Sequence, residues 1–264
     1  MLWGVFDQLW AYFFVPQEAP LPDGLGFGVF SPTHLGVVAV LAAAIAVLVV
    51  VYRHATSARR RKLRLTMGWF TLALEVLRQI GIIASSLYDP SYLPLHMCAL
   101  VTFVVFVDSV HSTRWSREPL YALGVWSASA AVLFPDWASR PIFNIYTWQS
   151  FVIHACIVGY ALMRLVAGEL VPTWRNLWRV LVIMACFIAV SIWANATLGT
   201  NFWFLQQGAP GSPLAPIQTF AGAFYIPVLV LLLAILWTIM YLPWALAARR
   251  TLAELPNAGE RAER

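Results

Sequence analysis

Charge is scarce in this sequence. Only 11% of its 264 residues are Asp, Glu, Lys or Arg, against about 25% in a typical soluble domain. With 61% hydrophobic residues, a soluble fold of this length has too little polar surface to cover its apolar side chains, so lipid must solvate much of the chain. Lysine is nearly absent, Lys62 being the single one among 17 basic residues. A retinal-type protein needs a Schiff-base lysine inside a helix, and Lys62 falls in an expected loop, which excludes that class. The formal charge of +5 is spread over short gaps between apolar runs, not gathered on one polar domain, so it gives no nucleic-acid surface. Cysteine is equally sparse. Cys98, Cys156 and Cys186 lie inside apolar runs with no CxxC or CxxH spacing, which leaves neither a disulfide framework nor a paired-ligand zinc motif. Buried cysteine usually packs as a small hydrophobe, and that reading suits Cys156 and Cys186.

What is present is a series of long apolar runs. Seven approach the roughly 20 residues that cross a bilayer, near residues 33–53, 65–87, 94–111, 119–135, 147–167, 176–198 and 217–246. The fold class expected is therefore all-α, a polytopic membrane protein of about seven transmembrane helices. Residues 1–30 form an N-terminal segment. Met1–Val15, with Trp3, Phe6, Trp10, Phe13 and Phe14, lacks the basic start of a signal peptide and suits a short helix lying in the interface. Residues 31–248 are the transmembrane domain, and 249–264 a polar cytoplasmic tail.

The loops give an orientation. Of the 17 basic residues, 15 fall in the first, third and fifth connections and the tail. Arg140 is the one basic residue in an opposite-side loop, beside Asp7, Glu18, Asp23, Asp89 and Asp136. By the positive-inside rule the N-terminus lies outside and the C-terminus in the cytoplasm. A multi-pass protein of the cell membrane, a bacterial inner membrane by preference, is the location expected.

Polar residues within the runs then fall from mid-membrane to the outer face. Glu75 and Arg78 are at i, i+3 on the second run and can face each other. They are either a structural ion pair or a headgroup contact. The third run opens LPLHMCAL, and Pro94 suits a first helical turn. That puts His96 and Cys98 near the helix N-terminus, where the positive end of the dipole faces the thiol. Two residues apart is about 200° on a regular helix, so His96 and Cys98 would not share a face. An intramembrane histidine is a functional candidate by default, and His154 sits about 10 Å deep in the fifth run. A cysteine nucleophile needs a base, and His154, on another helix at similar depth, can serve Cys98. Ser191 and Asn195 share a face of the sixth run, which leads into a Gly-, Pro- and aromatic-rich segment through Asn201 to Pro216. A loop this long suggests a lid. Asp108 and His111, near a helix end on the other side, are expected to snorkel. Together these residues describe a polar chamber in the outer half of the bilayer.

The run LPLHMCAL, with ANATLGTNFWFLQQGAP after the sixth run, resembles the bacterial YwaF-like membrane proteins and their animal relative, transmembrane protein 164. The resemblance extends over about residues 30–246. It implies an acyltransferase moving a polyunsaturated acyl chain from a diacyl phospholipid to an ether lysophospholipid, without a cofactor. By that resemblance Cys98 is the acyl carrier and His154 its base, with His96 a second candidate for the base. The expected partners are membrane phospholipids and lysophospholipids. Glu75, Arg78, Ser191, Asn195 and Asn201 are the substrate-binding candidates, with Arg78 on the phosphate and Asn195 or Asn201 on an oxyanion. A transporter or scramblase using the same chamber is the alternative, although no inverted repeat is visible.

Overall fold

The computed structural model describes residues 10–16, 19 and 21–262, with side chains placed through Ala248. Residues 1–9, including Trp3 and Phe6, lie outside the described residues. Every element among those described is helical, and six helices are long and apolar enough to cross a membrane. The chain is thus a multi-pass membrane protein.

Helix α1, Pro32–Arg53, starts where Ser31 accepts a hydrogen bond from the His34 amide and Pro32 occupies the first turn. Helix α2, Ser57–Ala84, begins at an N-cap on Thr56. This is eight residues earlier than its apolar run suggests. Arg59–Lys62 and Arg64 therefore stand on the helix, not in a loop, because Arg and Lys are good helix formers and only residues 54–56 connect α1 to α2. Helix α3 is Met97–Val110. A rod of three consecutive pieces follows: α4, Arg114–Pro119, a π-helical turn, Leu120–Val125, and α5, Trp126–Leu133. Helices α6, Ile145–Val166, and α7, Leu177–Leu198, are regular. The last run is broken at Gly222, whose φ is 54°, into α8, Leu214–Ala221, and α9, Tyr225–Ala262. Its helical backbone continues through most of the segment expected as a tail.

Helix α6 is the centre of the bundle, its span window 56% buried against 11% for α1 and for the last span. It packs on α1, α2 and α5, while α2 lies along α3. Gly68 permits that last contact, since a Cβ there would collide with Ser109 of α3. Buried His34 ties α1 to α5: its Nε2 donates to the Val132 carbonyl at 2.8 Å, and its Nδ1 accepts from the Phe30 amide. The Asn144 side chain caps α6 and donates to the carbonyls of Tyr12 and Val15, so the N-terminal segment is pinned to the start of the central helix.

The end holding the 54–56, 111–113 and 167–173 connections carries the densest ionic network. Asp108 does not snorkel; it is 1% exposed and accepts from Arg164, Tyr160, Ser112 and Ser116. Arg164 also reaches Glu169, which is shared with Tyr52, Arg64 and Arg60. Burial acts to raise the Glu169 pKa, but the Tyr52 hydrogen bond and the Arg64 and Arg164 charges outweigh it and hold the carboxyl below its usual range. A depressed folded-state pKa contributes stability that is present above the unfolded value and lost as pH falls through the folded one. The melting temperature of the wild type in detergent should therefore hold from neutral pH to about 5 and fall below about 4. Glu169→Gln should melt lower at pH 7 and show a shallower acid limb. An equally steep limb in the variant would remove Glu169 from the account.

Candidate active site

The site is built on a three-helix crossing. A Cβ at Gly124 would stand 3.1 Å from Val101 of α3 and 3.3 Å from Ile157 of α6, so glycine lets the π turn touch both helices at once. Widening that turn also exposes the Ala122 carbonyl, which accepts from the indoles of Trp126 (2.6 Å) and Trp237 (2.8 Å). The rod runs antiparallel to α3 and α6. One turn from the crossing, toward the 134–144 loop, the three helices present Cys98, Ser127 and His154. That common level follows from the register: three residues back on α3 and α6, three forward on the rod.

Cys98 is the second residue of α3 and half-buried. The Ser127 hydroxyl lies beside its thiol, and the Asp136 carboxylate is within electrostatic reach. His154 is 7% exposed. Its ring stacks on Trp137 at 5.3 Å and 22°, and its Nδ1 is 2.6 Å from the Ser150 carbonyl. A carbonyl only accepts, so Nδ1 carries the proton and the lone pair of neutral His154 is on Nε2. The turn at Asp136 and Trp137 thus borders both the thiol and the imidazole.

His96 differs from expectation. Pro94 and His96 both precede the helix, and His96 is its N-cap, with extended backbone and no side-chain cap bond. The argument from helix faces does not apply to a residue outside the helix. The His96 ring instead packs against Phe202 at 5.0 Å and Phe204 at 5.4 Å, turned toward the loop after α7.

That loop folds down onto the start of α3. Phe202 is fully buried, and Trp203 Nε1 donates to the Leu95 carbonyl at 2.7 Å. Ser191 donates to the same carbonyl, which is available because α3 starts only at Met97. Trp203 and Phe204 have φ of 61° and 53°, a left-handed conformation costing about 1–3 kcal/mol per non-glycine residue. Asn195 stabilises it: its amide donates to the Phe202 carbonyl, and its oxygen accepts from Phe202 N and Thr200 Oγ1. Asn201 similarly binds the backbone of Gln206 and Gln207. Asn195 and Asn201 therefore both shape the loop, each through its amide oxygen and one bond from its amide nitrogen.

Glu75 and Arg78 form a two-pronged pair, with Nε–Oε2 at 3.1 Å and Nη2–Oε1 at 2.8 Å. Gln79 joins Glu75 and, with Arg78, holds the Tyr92 carbonyl. The pair braces α2 against the turn before α3, and the Arg78 charge reaches both His96 and His154. Cys156 and Cys186 stand apart on α6 and α7, half-buried and exposed. Ser127 and Trp137 went unnoticed in the sequence, where serine in an apolar run and tryptophan near an interface carry no distinguishing signal.

The fold and this polar layer define a helical multi-pass membrane protein with a cysteine and a histidine at one level of a three-helix crossing. The chain belongs to the TMEM164 family, whose sequence pattern matches residues 29–241. Neither a curated protein nor a solved structure matches it.

Proposed function

We propose that this protein is a phospholipid acyltransferase working through a thioester at Cys98, with His154 as general base and then general acid. What supports the reading is the contact of Gly124 with Val101 and Ile157, from which helical register puts Cys98 and His154 three residues away on their helices, with the His154 lone pair on Nε2. Deprotonated Cys98 attacks the ester carbonyl of a diacyl phospholipid, and the protonated imidazole returns its proton to the departing lysophospholipid oxygen. The hydroxyl of a second lysophospholipid, deprotonated by His154, then attacks the thioester. The resemblance noted above favours a lipid substrate and an ether lysophospholipid acceptor. Keeping the basic connections in the cytoplasm turns this layer toward the outer leaflet. The ring-lined loop, 199–213, covers the His96 side and favours entry from within the bilayer.

The test is acyl capture. Purified protein in vesicles of palmitoyl-linoleoyl phosphatidylcholine should acquire one linoleoyl mass, released by neutral hydroxylamine and mapped to Cys98. Adding an alkyl lysophospholipid should discharge it into a diradyl product. Cys98→Ser should abolish the thioester and lower turnover by at least about 10³-fold. A Cys98→Ser protein that transfers at the wild-type rate would remove the cysteine from the mechanism. Movement of labelled lipid between leaflets without any acyl product would replace this reading with a scramblase.

A further inference from the structure

Acyl transfer passes through an oxyanion, and such enzymes stabilise it with donors already in place. The asparagines that the sequence offered for this task also hold the loop. Two other polar atoms around the candidate thiol and imidazole are sealed from solvent: Trp137 Nε1 has no hydrogen-bond partner, and Ser127 Oγ has no neighbour to bond except the Cys98 thiol. Ser127 is 8% and Trp137 6% exposed. Buried donors without acceptors are rare, because each forgoes the bonds it makes in water. Neither position demands a polar atom for packing. Ser127 lies on the rod three residues from the close contacts of Gly124, and Trp137 packs with Val37, Val132 and Phe151, where a phenyl ring would serve. Both groups sit at the site: Ser127 is at the level of Cys98 and His154, and the Trp137 ring lies flat on the His154 imidazole.

We propose that the Ser127 hydroxyl and the Trp137 indole N–H are the oxyanion donors of this acyltransferase, an inference that rests on the reading of Cys98 and His154 given above. As the Cys98 sulfur bonds to the ester carbon, the carbonyl π pair moves onto oxygen, which accepts from both donors. Collapse restores the carbonyl, breaks the ester C–O bond and leaves the acyl group on sulfur, the departing oxygen taking its proton from His154. The same two donors serve the second half-reaction in reverse. Neither group holds an oxygen acceptor in the resting protein, as fits a site whose acceptor arrives with the substrate.

The experiment compares Ser127→Ala, Ser127→Thr and Trp137→Phe with wild type in the vesicle assay, reading kcat, KM, the acyl adduct on Cys98 and the melting temperature. Ser127→Ala should lower kcat by about 10²–10³-fold with KM within about threefold. Its melting temperature should change little, since the hydroxyl's neighbour in the resting protein is the Cys98 thiol, a weak hydrogen-bonding group. Ser127→Thr, which keeps the hydroxyl, should recover most of the rate. Trp137→Phe, which keeps the stacking ring, should lower kcat at least about tenfold at unchanged KM. A wild-type kcat in Ser127→Ala or in Trp137→Phe overturns the role of that donor, while an acylated wild type leaves Cys98 and His154 standing. A parallel loss of kcat and melting temperature, unrescued by threonine, shows a packing role and overturns the proposal. Absence of an acyl adduct on the wild type overturns both readings together.

Discussion

Asp108→Ala should destabilise the protein by about 3–5 kcal/mol, the usual effect of removing one partner of a buried ion pair. The reason lies in what remains behind. Arg164 is 2% exposed and its guanidinium faces Asp108, with Glu169 a second carboxylate bound to it. Without Asp108 a cation stays buried with half its compensation, and the hydroxyls of Tyr160 and Ser116 lose their acceptor. Tyr160 is fully buried, so no water replaces that bond. The network also joins α3, the start of the rod and α6, three elements that meet again at Gly124. In detergent the variant should melt about 10 °C lower, given the scale of 2–4 °C per kcal/mol for chains of this size. Asp108→Asn keeps an acceptor and should lose less. Asp108→Leu combined with Arg164→Met removes both charges and should regain much of the loss. An Asp108→Ala protein melting with wild type would show that the network is not a clamp.

The apolar runs were readable because each must cover a bilayer thickness with helix, and the structure places a long helix over six of the seven. Helix starts were less readable, since hydropathy marks where lipid begins, not where hydrogen bonding begins. Thr56 and a stretch of Arg and Lys extend α2 well beyond its apolar part. At α3 the opposite happens: Pro94 and His96 belong to the apolar run, yet the helix opens only at Met97. The π turn in the fourth run was not readable, since a glycine placed for two close neighbours leaves no periodic signature. Asp108 was misjudged for a related reason. Depth along its own helix suggested an easy route to water, whereas its partners are 52 and 56 residues away on α6.

The candidate site was legible to the extent that chemistry distinguishes residue types. Cysteine and histidine in apolar runs stand out, as do Glu75 and Arg78. The roles of Asn195 and Asn201 were not legible, because amides suit an oxyanion and a tight loop equally well. Only the left-handed backbone at Trp203 and Phe204 shows which demand they meet. Cys98 is thus approached by a serine, and His154 by a tryptophan, that no motif marked.

His154→Asn should lower acyl transfer by about 10²–10⁴-fold, the range that general acid–base catalysis contributes, while the protein remains folded. The asparagine amide can still donate to the Ser150 carbonyl, as Nδ1–H does now, but it offers no lone pair where Nε2 stands. The structural duty of the histidine is therefore preserved and the proton-transfer duty removed. Both half-reactions need the base, so acylation of Cys98 and its discharge should slow together, with KM little changed. His154→Gln places an amide near the Nε2 position and should be no more active, since an amide does not accept a proton at neutral pH. Cys98 should also alkylate more slowly with a small maleimide in both variants, a readout that needs no lipid substrate. His96→Asn is the matched control: a ring packed between Phe202 and Phe204 should affect loop stability more than the chemical step. Wild-type acylation in His154→Asn, with loss in His96→Asn, would transfer the role of base from α6 to the residue that opens α3.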